Sequence, residues 1–239
     1  MLPRIIFEDD QLVVIDKPSG VVVNRSQTTN GGTIQDWHVR KSQIPNPKSQ
    51  SDSEFLQKGG VVHRLDKDTS GVMVLAKTAE AYEKLKKQFL ERRVKKRYVA
   101  LVHGKFSKDQ GIISAPLMRH PRDRQRFTIG SDLAKTAITD WKMIEQFSVL
   151  SDQYTLLELE PHTGRTHQLR VHLQSIHHPI VADPIYGFKK TWEEDLTWCK
   201  RLFLHAKYLE FEHPASGERV NFEVELPQDL QTALKSLIH

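Results

Sequence analysis

Two short segments concentrate the side chains of this chain that could do chemistry. The first, His63-Arg64-Leu65-Asp66-Lys67-Asp68-Thr69-Ser70-Gly71, sets two carboxylates, an imidazole and two hydroxyls between apolar runs at Val61-Val62 and Val72 to Leu75. A polar loop flanked this closely by strand-like sequence emerges from the centre of a sheet, where functional loops are rigidly supported. Asp, Thr, Ser and Gly are also the ordinary residues of a turn, so Asp66 and Asp68 could instead bond their own backbone. The second segment runs from Pro161 to His172 (PHTGRTHQLRVH) and carries three histidines and two arginines. His162, His167 and His172 recur every five residues, and about 100° per residue turns each about 140° from the last, so they do not converge on a metal. Ser70 lacks the first glycine of a nucleophile elbow, and the chain has no phosphate-binding glycine loop ending in Lys-Ser or Lys-Thr.

The elements that must position these segments are mostly strands. Ile5 to Phe7 and Leu12 to Ile15 alternate around the turn-like Glu8-Asp9-Asp10-Gln11, which predicts a β-hairpin ending at Pro18-Ser19-Gly20. Residues 40–58 are polar and rich in Pro, Ser and Asn, and read as a surface loop or insertion. Gly71 to Lys77 is a buried strand. Thr78 caps a helix from Ala79 to about Arg92, with Tyr82, Leu85 and Phe89 on its apolar face. Further strands are expected at Tyr98 to His103, Ala137 to Ile144 and Tyr154 to Leu159, with an arginine-rich loop between the first two. Thr163-Gly164 opens a helix in which Leu169, Leu173 and Ile176 face inward and Arg170, Gln174 and His167 flank them. Two strands divided by residues 213–218 end the pattern as a hairpin. The expectation is one catalytic domain over residues 1–239, of α+β class, on a largely antiparallel twisted sheet.

Composition narrows the class. A chain of 239 residues with 38% hydrophobic content closes a sizeable core. No stretch approaches the roughly 20 apolar residues of a membrane span, and MLPRIIFEDD has no signal-peptide pattern, so a soluble cytoplasmic protein is expected. The single cysteine, Cys199, cannot form an internal disulfide, which agrees with a reducing compartment. A formal charge of +5 favours an anionic partner, and its clustering sharpens the point. One cluster runs from Lys84 to Arg97 and another comprises Arg119, Arg122, Arg124 and Arg126. Four guanidinium groups on a Pro- and Arg-rich loop point to nucleic-acid contact.

HRLDKDTSG at 63–71, KKRYVALVHG at 95–104 and TGRTHQLRVHL at 163–173 resemble three ordered motifs of the RluA-type pseudouridine synthases. DKPSGVV at 16–22, GGTI at 31–34, HPIVADPIYG at 178–187 and LFLHA at 202–206 are similar to the same family and keep its order, so the resemblance covers nearly the whole chain. It implies the pseudouridine synthase catalytic fold with a central RNA-binding cleft. It also implies isomerisation of a specific uridine in tRNA, ribosomal RNA or both, without metal or other cofactor. The N1–C1′ bond breaks, the base turns, and C5 bonds to C1′. An anionic side chain beside the ribose suits a sugar that becomes electron-poor. The resemblance gives this role to Asp66 and leaves Asp68 to loop structure; attack at C1′ and removal of a C2′ proton both remain open to Asp66.

The resemblance further implies that Arg170 pairs with the catalytic carboxylate and keeps it ionised. Tyr98 stacks on the uracil with its hydroxyl near C5, and Arg64 enters the helix space that the target base leaves. Lys95, Lys96, Arg97, Arg119, Arg122, Arg124, Arg126 and Arg165 are the candidate RNA contacts. Leu204 packs near the uracil or in a plain core strand. Many relatives begin with a small RNA-binding domain; the first strand here starts within seven residues, so the catalytic domain is expected to find RNA alone, as a monomer and without an obligate protein partner. The alternatives are a non-catalytic RNA-binding factor and an enzyme that releases uracil without rejoining it.

Overall fold

The computed structural model describes residues 2–25, 32–47, 53–123, 125–130, 134–150 and 152–238. In chain order the elements are β1 (Arg4–Glu8), β2 (Leu12–Lys17), α1 (Ile34–Lys41), α2 (Glu54–Lys58), β3 (Ser70–Ala76), α3 (Ala79–Leu90), β4 (Lys95–His103), β5 (Gln110–Ser114), β6 (Leu117–Arg119), β7 (Phe127–Ile129), β8 (Ile138–Val149), β9 (Asp152–Pro161), α4 (Gln168–Ser175), α5 (Lys189–Trp198), β10 (Leu204–Glu212), β11 (Arg219–Glu223) and α6 (Gln228–Lys235). This is an α+β chain whose described strand pairings are antiparallel. It forms two compact units, one of residues 1–96 with 206–224 and one of residues 97–205 with 225–239.

In the first unit the strands lie in the order β1-β2-β3-β10, with β11 beside β10. The β1–β2 hairpin closes because Asp9 Oδ1 accepts the amides of Gln11 and Leu12, both at 2.8 Å, which turns the chain in four residues. Leu12, Val14, Val72, Val74 and Ala76 share a core with Tyr82 and Leu85 of α3 and with Leu209 and Phe211 of β10. Strand β3 is buried along its whole length, as its unbroken apolar run predicts. Helix α3 starts where expected, with the Thr78 hydroxyl accepting the Ala81 amide at 3.1 Å.

Residues 40–58 do not behave as one loop. Arg40 and Lys41 end α1, Ile44 is buried, and Glu54–Lys58 form α2. Ser53 caps α2, Phe55 is its buried anchor, and Gly59 ends it in the left-handed region at φ 54°. The polar composition hid both the cap and the anchor, because a five-residue helix offers too little periodicity to read.

The second unit orders its strands β4-β9-β8-β5, with β6 and β7 as a separate two-stranded hairpin. Its core runs from Ala100, Leu101 and Val102 of β4 through Leu157 and Leu159 of β9 to Leu169 and Leu173 of α4. Helix α4 begins five residues later than predicted. His167 takes φ 56°, and the Gln168 side chain accepts from the Thr163 hydroxyl at 2.6 Å and from the Arg165 amide at 3.1 Å. Residues 163–167 therefore form a turn bonded to Gln168 and not the first turn of a helix.

His38, fully buried on α1, donates from Nε2 to the Ala76 carbonyl at 2.8 Å, and its Nδ1 lies 3.2 Å from the Ser42 hydroxyl. Burial holds this imidazole neutral and pushes its pKa from 6.5 down to about 4. The unfolded chain therefore takes up the proton first as pH falls. Stability that is complete above pH 6.5 is lost between pH 6.5 and about 4, at up to about 1.4 kcal/mol per pH unit. Urea midpoints should fall through this window in the wild type and fall less in His38→Gln. Parallel profiles for the two proteins would contradict the assignment.

Candidate active site

In the first unit, Asp66 sits on the loop between the isolated bridge Val61↔Leu75 and strand β3. Buried residues fix the loop on both sides of Asp66, with Leu65 before it and Thr69 and Ser70 after it. Asp66 itself is partly exposed and Arg64 is exposed. The backbone turns here because the Thr69 amide donates to the Asp66 carbonyl at 3.2 Å. Gly71 ends the turn at φ 123°, and a Cβ there would lie 2.2 Å from the Ala206 carbonyl oxygen. The motif's glycine is thus required both by backbone conformation and by the closeness of β10. His63 stacks on Phe89 with ring centroids 4.5 Å apart and accepts the Val74 amide through Nε2 at 3.1 Å. Burial pushes its pKa to about 3, with the Lys96 charge adding to the effect, so His63 is a neutral acceptor that fixes the loop's entry.

The residue that holds this loop most tightly is Lys17, which is fully buried at the end of β2. Its ammonium donates to the carbonyls of Pro18 and Val21 at 2.8 Å and of Lys67 at 3.0 Å. Three donors meet three acceptors, which is what a buried ammonium requires. The Lys67 carbonyl also accepts the Gly20 amide at 2.9 Å, and the Ser19 hydroxyl donates to the Asp68 carbonyl at 2.8 Å. The segment DKPSG is therefore a clamp on the neighbours of Asp66. Its sequence signal was a lysine in phase with the inward-facing Val13 and Ile15 of β2.

In the second unit, Arg170 is not a surface helix arginine. It is 3% exposed and forms a two-pronged ion pair with Asp183, Nε to Oδ2 at 2.8 Å and Nη2 to Oδ1 at 2.7 Å. Asp183 Oδ1 also accepts the amides of Ile185 and Tyr186 at 2.8 and 2.9 Å. The Tyr186 ring lies 5.0 Å from the Arg170 guanidinium carbon. Asp183 and Tyr186 belong to HPIVADPIYG and were legible as a motif, but without a partner in sequence neither had a readable role.

The other polar residues of the second motif are structural ties. Gln168 Nε2 donates to the Ile138 carbonyl and to the Thr139 hydroxyl, both at 3.0 Å. His172 donates from Nε2 to the Ala115 carbonyl at 2.9 Å, and its Nδ1 lies 2.9 Å from Thr139 Oγ1. His162 pairs instead with Asp140 at 2.8 Å and His167 with the Tyr186 hydroxyl at 2.9 Å. Each histidine has its own partners.

Tyr98 is partly buried on β4 opposite Leu159 of β9, packed against the same apolar cluster that contains Leu204. Leu204 is 3% exposed, a core position at the start of β10. Arg165 Nε donates to the Thr136 carbonyl at 3.3 Å. Lys95 lies 3.9 Å from Glu210, Lys96 is partly buried, and Arg97 lies 3.5 Å from Glu158. Much of the first basic cluster is likewise ion-paired: Lys84 with Glu80, Lys86 with Glu54, and Arg93 with Glu91 and Glu212. The second cluster differs. Arg119 and Arg122 are exposed on and beside the β6–β7 hairpin, and among the described residues neither Arg122 nor Arg126 has a carboxylate partner. Arg124 lies outside the described residues.

Two outcomes follow from these anchors. Lys17→Met removes three charge-assisted hydrogen bonds, taking the ammonium from the carbonyls of Pro18 and Val21 and leaving the Lys67 carbonyl with the Gly20 amide alone; a stability loss of about 1–3 kcal/mol is expected in urea unfolding. Unchanged stability would mean that the loop does not need the clamp. Asp183→Asn keeps an acceptor for the two amides but removes the charge that Arg170 bonds, with an expected loss of about 3–5 kcal/mol. A loss below about 1 kcal/mol would show that the pair is not a main support of this unit.

Residues 11–175 match the family model described as RNA pseudouridylate synthase. The ribosomal large subunit pseudouridine synthase D of Nitrosomonas europaea is 40% identical over 241 residues, covering 98% of this chain and 65% of that protein. An RNA pseudouridine synthase of Aquifex aeolicus is 39% identical over 237 residues, covering 96% of this chain and 71% of that protein. The chain thus spans about two thirds of the length of these bacterial relatives. The solved structure of human RNA Pseudouridylate Synthase Domain Containing 1 superposes with a TM-score of 0.73 at 26% identity, covering 99% of this chain and 95% of that one. A strand-supported HRLDKDTSG loop, a buried arginine in GRTHQLRVH and matches that span both units place this chain in the RNA pseudouridylate synthase family.

Proposed function

We propose that this chain isomerises a specific uridine to pseudouridine in RNA, with Asp66 as the carboxylate that acts at the ribose. The observation that carries the reading is the Asp66 loop. Leu65, Thr69 and Ser70 around it are buried, the Lys67 carbonyl is held by the Lys17 ammonium and Gly71 backs the turn, while Asp66 itself keeps partial access. A carboxylate that served the fold alone would not need supports of this kind on each side. Asp66 stabilises or captures C1′ as the N1–C1′ bond breaks. Tyr98 supplies a ring for the uracil and a phenol for the proton at C5, and Arg170 supplies a buried cation that keeps the carboxylate ionised. Arg64 takes the space that the extruded base leaves, Leu204 packs beside the uracil, and Arg165 with Lys95, Lys96 and Arg97 contacts phosphates.

Arg119, Arg122 and Arg126, on and beside the β6–β7 hairpin, together with Arg124, which lies outside the described residues, are the stronger phosphate contacts: among the described residues Arg122 and Arg126 have no carboxylate partner, and a guanidinium already paired to a carboxylate gains less from RNA. The relatives named for the ribosomal large subunit make its RNA the first substrate to test, with tRNA the second. The family model spans residues of both units, which supports one catalytic domain over 1–239. Among the described residues no helix is long and apolar enough to cross a membrane.

Incubation with large-subunit ribosomal RNA and tRNA transcripts, followed by chemical labelling and primer extension, should map pseudouridine to a defined uridine. Asp66→Asn should bind RNA, keep the wild-type unfolding profile and form none. Turnover by Asp66→Asn would overturn the assignment of the carboxylate.

A further inference from the structure

We propose that Tyr186 is a positioning residue that ties the arginine-bearing β6–β7 hairpin to Arg170, so that the surface receiving RNA phosphates and the buried cation keep a fixed register. This inference rests on the RNA-modifying reading above and concerns residues of the second unit alone.

The hairpin needs an external tie. Strands β6 and β7 share three residue pairs, Leu117↔Ile129, Met118↔Thr128 and Arg119↔Phe127, and a two-stranded ribbon of that length is marginal in water by itself. Its base is held through the bridge Leu117↔Lys135 and by His172, which donates to the Ala115 carbonyl. Its far strand is held by Tyr186, whose hydroxyl accepts the Phe127 amide at 2.8 Å. That amide starts β7, one residue after Arg126 and beside the ring over which Arg119 lies at 5.4 Å.

Tyr186 is 1% exposed, and its ring has a guanidinium carbon from each side of the problem nearby, Arg170 at 5.0 Å and Arg126 at 5.5 Å. Its own amide is fixed by Asp183 Oδ1, the oxygen that also bonds Arg170 Nη2. One side chain therefore divides two tasks between its parts. The ring packs with Val171 and Leu117 and neighbours the catalytic-site cation, while the hydroxyl holds the hairpin backbone. A residue that only filled space would need the ring and not the hydroxyl, and a buried phenol without partners would be disfavoured.

The division makes the proposal separable by substitution. Tyr186→Phe keeps the ring beside the two arginines and removes both the acceptor of the Phe127 amide and the hydroxyl partner of His167 Nδ1; His167→Asn, which changes only the second contact, should leave exchange of the hairpin unchanged. Hydrogen exchange of the segment 117–129 should accelerate, the KM for RNA should rise about tenfold, and kcat should change by less than about twofold. Tyr186→Leu removes the ring as well and should lower kcat in addition. Thermal unfolding of Tyr186→Phe within a few degrees of wild type would establish that the fold is intact. Unchanged exchange and unchanged KM in Tyr186→Phe would overturn the proposal, as would a fall in kcat at constant KM, which would place the hydroxyl's effect at its other partner, His167, and not at the hairpin. A wild type that binds RNA but forms no pseudouridine would sink the functional reading alone, because exchange of 117–129 and RNA affinity still decide whether Tyr186 ties the hairpin.

Discussion

Arg170 and Asp183 place opposite full charges where almost no water reaches them, and the second unit is arranged around that fact. Side chains exposed by 4% and 0% cannot rely on solvent, so each must find its hydrogen bonds within the protein. The planar guanidinium meets the carboxylate along two parallel bonds, and the carboxylate uses its remaining capacity on the amides of Ile185 and Tyr186. Helix α4, the turn after β-bridge residue Ile180 and the ring of Tyr186 are thereby fixed by one ion pair. A geometry of this kind suits a site that must present a cation without letting it swing.

The first unit solves the same problem with a different cation. Lys17 is a point charge that needs no fixed plane, and it gathers two carbonyls from the turn that follows it and a third from the Asp66 loop. Arg170 orders by planarity and Lys17 by convergence. In each unit a buried charge stiffens a motif segment: Lys17 the loop that carries Asp66, and Arg170 with Asp183 the helix and turn to which they belong. The neutral histidines serve the same end: His38, His63 and His172 each fix a backbone group, and burial keeps each uncharged.

The strands and α3 were legible because their signals are local, in the alternation of Leu12 to Ile15, the apolar run of β3 and the Thr78 cap. The polar stretch at 40–58 misled because α2 declares itself through one cap, one buried Phe55 and one left-handed Gly59, too few residues for a period. The late start of α4 was hidden for a related reason: Gln168 reads as an ordinary helix residue until its side chain is seen bonding Thr163 and Arg165. Asp66, Tyr98 and Arg170 were legible as motif residues with roles that the resemblance implies. Lys17, Asp183 and Tyr186 also lay in motifs, but their roles were not readable, because their partners are 50, 13 and 59 residues away, separations that no periodicity encodes. The sequence already favoured the second basic cluster for nucleic-acid contact, but it could not show that residues of the first are paired by carboxylates from distant elements such as Glu54, Glu210 and Glu212.

The proposed role of the carboxylate-bearing loop is isomerisation of uridine and not binding or hydrolysis. Isomerisation replaces the bond from C5 to hydrogen with one from C5 to C1′, whereas hydrolysis leaves C5 untouched. RNA transcribed with uridine tritiated at C5 therefore distinguishes the two reactions. Tritium should pass to water in a one-to-one ratio with modified sites, and no free uracil should form. Labelled uracil in solution, or fully retained tritium on RNA that the protein demonstrably binds, would contradict the account.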